Sequence, residues 1–152
     1  MTTSPMAAAD PVACEWLLTS ASRLFYARGI RAVGVDLIAE EAGTTKKTLY
    51  DRFGSKDALV ARYLETRAMR WRRYLEGYLA EHAPEPGVDR VLAVFGAIGE
   101  WMAGLDRGCA FVNAYAEIGG AEHPGVAVIR DEKQWMLGRF RALAEEAGID
   151  DR

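Results

Sequence analysis

The stretch VDLIAEEAGTTKKTLYDRFGSKDAL, residues 35–59, decides the fold. A short apolar and acidic segment runs from Val35 to Ala42 and stops at Gly43. The chain restarts behind Thr45 as Lys46 to Phe53, and Gly54 ends that second segment. Ile38 and Ala42 are four apart, as are Leu49 and Phe53, so each short helix directs one apolar face inward. Thr45 is a good N-cap, and the glycines are stop signals. The pattern predicts helix, tight turn, helix. At about 100° per residue, inward Leu49 and Phe53 turn Lys47, Thr48 and Asp51 outward, with Tyr50 and Arg52 on the flanks.

Upstream, Asp10 is an N-cap, Pro11 occupies the first helical position, and Gly29 closes the segment. Ala13, Leu17, Ala21, Leu24 and Phe25 recur at spacings of three and four, so they share one face of an amphipathic helix. Residues 1–9, rich in Ala, Ser and Thr, read as a mobile tail. Downstream, Ser55 caps a long helix to about Glu81, with Leu59, Tyr63, Arg67, Trp71, Leu75 and Leu79 in register. At about 1.5 Å per residue it is about 40 Å long. The run from His82 to Gly87, with two prolines and a glycine, cannot continue it. Three further helices follow: Val88 to Leu105, Cys109 to Ile118, and about His123 to Ala147, closed by Gly148. Only Val126 to Ile129 is β-prone, so the expectation is an all-α chain.

The chain of 152 residues is half hydrophobic and 27% charged, which excludes the disordered class. Its longest apolar stretch, Val91 to Gly99, stops at Glu100, short of the roughly 18 to 20 residues of a membrane helix. The N-terminus has neither a basic leader nor a long apolar centre, so a cytoplasmic protein without membrane attachment is expected. Cys14 and Cys109 have no metal-ligand spacing and read as plain thiols. The net charge of −3 is uneven: residues 1–79 carry +3 and residues 80–152 carry −6. A polyanionic partner would meet the front half.

A helix, a turn with glycine and a second helix with a polar outer face is the geometry that places a recognition helix in the DNA major groove. Lys47 and Tyr50 can reach phosphates, and Thr48 stands in the first turn, where base edges are read. Lys56 adds a backbone contact. The combination Ala42-Gly43, Lys47-Thr48-Leu49-Tyr50, Phe53 and Ser55-Lys56, with the preceding Leu24-Phe25 and Gly29-Ile30, resembles the DNA-binding domain of TetR-family transcriptional regulators over roughly residues 12–64. The resemblance implies that Thr45 caps the recognition helix, Thr48 touches a base or phosphate, and Tyr50 and Lys56 hold the DNA backbone. Lys46, Lys47 and Arg52 complete the expected DNA-binding set. Three residues depart from the family pattern. Gly34 stands where a Ser or Thr cap is common, and Thr44 replaces a small apolar turn residue. Asp51 puts a carboxylate on the exposed face, either paired with Lys47 or accepting from a cytosine amino group.

Beyond the proline break, Gly108 to Ala114 and the helix from Pro124 resemble the effector-binding and dimerisation half of one branch of the family. The implied architecture is an N-terminal three-helix helix-turn-helix domain (residues 10–55), a connecting helix (56–81) and a C-terminal helical ligand-binding and dimerisation bundle (82–152). The implied function is a ligand-responsive regulator, most often a repressor, that binds a palindromic double-stranded DNA operator as a homodimer and answers to an apolar small-molecule effector. Phe95, Trp101, Met102, Phe111, Tyr115, Trp135 and Met136 are candidate pocket walls, with Asn113 or Glu117 supplying polarity. Each also fits an ordinary core position. Against the family pattern, one C-terminal helix is expected to be missing: either the protein is naturally short, or the sequence is truncated, or the dimer uses an interface built on the helix from His123 to Ala147.

Catalysis finds no support: there is no HExxH, GxGxxG, phosphate-binding loop or GxSxG. Glu117 with His123 forms the best imaginable acid/base pair, but His123 reads more simply as a helix-start residue before Pro124. No cofactor and no metal are expected. The rival from another class is a helical adaptor that keeps the fold and binds a protein without reading DNA.

Overall fold

The computed structural model describes residues 11–150, and the expected tail at 1–9 and the Asp10 cap lie outside them. Among the described residues there are seven helices and no strand. They are α1 (Pro11–Arg28), α2 (Val35–Glu41), α3 (Lys46–Phe53), α4 (Lys56–His82), α5 (Val88–Met102), α6 (Ala110–Ile118) and α7 (Pro124–Glu146). The chain divides between Tyr63 and Leu64 into two compact units, so the boundary falls inside α4.

In the N-terminal unit α1, α2 and α3 pack against one another. Leu17, Ala21, Leu24 and Phe25 are buried on α1, as the spacing predicts, and meet a core holding Ile38, Ala39 and Leu49. Leu59, Val60 and Tyr63 at the start of α4 are also buried, and the Tyr63 ring lies 5.7 Å from that of Phe25. The tight turn after α2 is closed by two backbone bonds, Gly43 N–H to Glu40 O and Thr44 N–H to Ala39 O. These form a Schellman end, which requires the left-handed backbone that Gly43 supplies at φ 69°. The departure at Thr44 is thereby tolerated: what the turn takes from this residue is its N–H.

In the C-terminal unit Trp71, Leu75, Leu79, Val94, Ala97 and Leu143 form the buried cluster, contributed by α4, α5 and α7. Tyr74, Trp101, Met136 and Phe140 pack partly buried against it. His123 accepts from the Gly125 N–H at 2.9 Å through its ring, which makes it the N-cap of α7. One boundary differs from the sequence expectation by more than a residue: α5 ends at Met102 rather than Leu105. Ala103 is extended, and Gly104 adopts φ 78°, where an α-helix cannot continue.

Leu75 is wholly buried in this cluster, and truncation to Ala removes packed methyl groups that neighbours cannot replace. Leu75→Ala is expected to cost about 2 to 5 kcal/mol, read as a lowered urea midpoint.

Candidate nucleic-acid interface and ligand cavity

The outer face of α3 is built from the cap inward. Thr45 has extended backbone, and its hydroxyl accepts from the Thr48 N–H at 3.1 Å. The two hydroxyls of Thr45 and Thr48 are 3.0 Å apart. Leu49 is fully buried, so the helix can present only one side outward. On that side Lys46, Lys47 and Tyr50 are exposed, and Thr48 and Arg52 are half-buried. Lys47 Nζ donates to Asp51 Oδ2 at 2.7 Å. That arrangement is the pairing alternative for Asp51, an i,i+4 ion pair worth about 0.3 to 0.5 kcal/mol at an exposed site. Lys46 lies 3.7 Å from Asp36 of α2. Lys56 is half-buried and donates to the Ile30 carbonyl at 2.8 Å, an anchoring role within the unit that the spacing did not suggest. Gly34 caps α2 with no side-chain bond.

The C-terminal unit holds a cavity of about 180 Å³. Four expected wall residues come together there: Trp101 and Met102 at the end of α5, Phe111 on α6 and Met136 on α7. Trp71 joins them from α4, its indole N–H directed at Met136 Sδ at 3.1 Å. The other expected wall residues stand elsewhere. Phe95 is 61% exposed, with its ring 5.6 Å from Phe140. Trp135 lies under the guanidinium of Arg72 at 4.8 Å. Tyr115 faces a second hollow of about 350 Å³ together with Phe111, Val126 and Ile129. Asn113 donates to the Arg107 carbonyl at 2.7 Å and so ties down the loop before α6. Glu117 is half-buried and lines neither hollow.

The polarity of the first cavity comes from residues that the spacing argument passed over. Glu132 is 1% exposed; its Oε2 accepts from Arg72 Nε at 2.9 Å and Nη2 at 2.8 Å, while its Oε1 is buried with no hydrogen-bond partner. Burial pushes this carboxyl above the usual carboxylate range, and the Arg72 guanidinium opposes the shift. Arg67 and Lys133 also line the cavity. A signal existed in the sequence. Glu132 occupies an apolar register in α7, three residues after Ile129 and four before Met136, and Arg67 does the same between Tyr63 and Trp71 in α4.

The family model for bacterial regulatory proteins of the tetR family matches residues 17–63. A TetR-family transcriptional regulator of Streptomyces coelicolor superimposes with a TM-score of 0.80 at 35% identity, covering 89% of this chain and 71% of that one. A TetR-type regulator structure from Streptomyces avermitilis gives 0.75 at 31% identity, covering 91% and 75%. The HTH-type transcriptional repressor KstR2 of Rhodococcus jostii is 32% identical over 135 residues, and the chain spans 55% of that relative's length. The chain belongs to the TetR family of transcriptional regulators, which are transcription factors rather than enzymes. Among the described residues no helix is long and apolar enough to cross a membrane, and no His, Cys, Asp and Glu cluster has the shape of a metal site.

Thr45→Ala leaves the Thr48 N–H without its cap. The expected cost is about 1 kcal/mol in denaturant unfolding, with faster amide exchange at Thr48.

Proposed function

We propose that the protein is a ligand-responsive repressor that binds a palindromic double-stranded DNA operator as a homodimer in the cytoplasm and is released by an apolar small-molecule effector. The observation that carries DNA reading is the outer face of α3: a capped recognition helix whose exposed side is Lys46, Lys47 and Tyr50, backed by buried Leu49. Lys46, Lys47 and Tyr50 hold phosphates, Thr48 reads a base edge or phosphate, and Arg52 and Lys56 stand at the flanks of the same surface. Repression follows the reading of KstR2 as a repressor. In this reading residues 10–55 meet DNA, and residues 82–152 with the adjoining part of α4 hold the effector and the dimer surface.

The test of DNA reading is selection of bound sequences from a random duplex library at about 100 mM salt, where phosphate attraction alone no longer dominates. A palindrome with half-sites roughly 34 to 36 Å apart is expected, and recovery of nothing above background would sink the reading. On the selected duplex, Lys47→Ala and Tyr50→Phe should weaken binding without unfolding the protein. Lys47→Ala should also flatten the dependence of log affinity on log salt by about two, one for each protomer of the dimer. Asp51→Asn removes a carboxylate from the phosphate-facing side and should tighten binding.

The dimer is supported by an apolar strip on the C-terminal unit. Val88, Leu92 and Phe95 lie along one side of α5, each more than half exposed, and Leu137 is exposed on α7. A second copy covering this strip removes it from water. Phe95→Asp should halve the mass of the species seen by analytical ultracentrifugation, and an unchanged dimer would exclude this surface.

A further inference from the structure

The cavity beside Glu132 has the chemistry of a specific ligand class. Its walls are two indoles, Trp71 and Trp101, the ring of Phe111, and the thioethers of Met102 and Met136, flat or adaptable groups that suit an aromatic ring. Its volume of about 180 Å³ is close to the roughly 150 Å³ in which an apolar cavity accommodates benzene, so one substituted ring or two fused rings fill it. Into this apolar surface the fold places one carboxylate that is 1% exposed and only half used. Arg72 donates both its bonds to Oε2, and Oε1 has none. A buried acceptor without a partner is costly, and a ligand donor that satisfies it recovers that cost.

The surrounding charge selects the donor. Lys133 lines the cavity and Arg72 adjoins it, so two cations act on the one carboxylate of Glu132. An ammonium ligand would gain Glu132 but meet a net positive wall, whereas a hydroxyl donates to Oε1 and brings no charge. We propose that this cavity receives a neutral hydroxyl-bearing aromatic compound of one or two rings, its ring against the Trp71–Trp101 pair and Phe111 and its O–H donated to Glu132 Oε1. The proposal rests on the ligand-responsive reading above and names the class of effector. Arg72 acts as a positioning residue that holds the carboxylate in place.

The test measures binding of three probes to the full chain by equilibrium dialysis: 2-naphthol, the near-isosteric 2-methylnaphthalene, and 2-naphthylmethylamine as its ammonium. Wild type should hold 2-naphthol about tenfold more tightly than 2-methylnaphthalene, the worth of one hydrogen bond to a buried charged acceptor, and more tightly than the ammonium. Replacing both halves of the ion pair, Arg72→Met with Glu132→Met, should bring the ratio of the two uncharged probes to about one while 2-methylnaphthalene still binds, which also reports an intact cavity. Met102→Trp, which fills the cavity and leaves the ion pair in place, should lose both uncharged probes. Equal affinities in wild type, a preference retained in the double variant, tightest binding of the ammonium, or no binding of 2-naphthol would each overturn the proposal. Duplex selection uses none of these probes, so failure here leaves DNA reading standing, and failure there leaves the cavity chemistry standing.

Discussion

An eight-residue helix does not persist in water by itself, because nucleation costs more than so few hydrogen bonds return. α3 exists because Leu49 is fully buried within the N-terminal unit and Thr45 caps its first turn. That single buried side chain also sets the rotation of the helix. With Leu49 inward, Lys46, Lys47 and Tyr50 have nowhere to go but outward. The exposed face is thus the complement of a packing constraint, and the Schellman turn at Gly43 and Thr44 fixes where it begins. A slip of one residue in that turn would rotate a different set of side chains to the surface.

The C-terminal unit solves a different problem. Its core is apolar and aromatic, yet Glu132 sits inside it with a guanidinium as its chief compensation. Apolar residues of equal size would often be as stable as such a pair, so the pair is poor evidence of stabilisation for its own sake. Its orientation is more informative than its energy. Arg72 is anchored on its other side by the Trp135 ring, which leaves one carboxylate oxygen bonded and the other bare among cavity-lining residues. Trp135 and Trp101, read from sequence as equivalent pocket candidates, therefore do separate jobs. Trp101 is wall, and Trp135 supports the charge pair.

Much of the fold was legible in the chain because it is written in local signals. The stops at Gly29, Gly43 and Gly54, the cap at Thr45, the break over His82 to Gly87 and the three- and four-residue spacings each act within one or two turns of helix, and they place the seven helices of the described residues. The end of α5 was missed because Gly99 and Gly104 look alike in sequence, and only the backbone distinguishes the helical one from the left-handed one. On α3 the outward set could be named from Leu49 and Phe53 alone. Lys56 could not be placed that way, since its partner, the Ile30 carbonyl, lies 26 residues away.

The cavity was legible only in part. Trp101, Met102, Phe111 and Met136 could be listed as apolar groups on inward registers, but so could Phe95, and nothing local separates a side chain that meets a neighbouring helix from one left at the surface. Helix identity, caps, the turn and the facing of α3 were determined by the sequence by itself, because these depend on interactions a few residues long. Tertiary structure alone decided that Arg72 meets Glu132 across 60 residues and that four helices leave a hollow beside their bare oxygen. The reason is physical: burial of a charge and the volume of a void are properties of what packs around a residue, and no spacing along one helix encodes them.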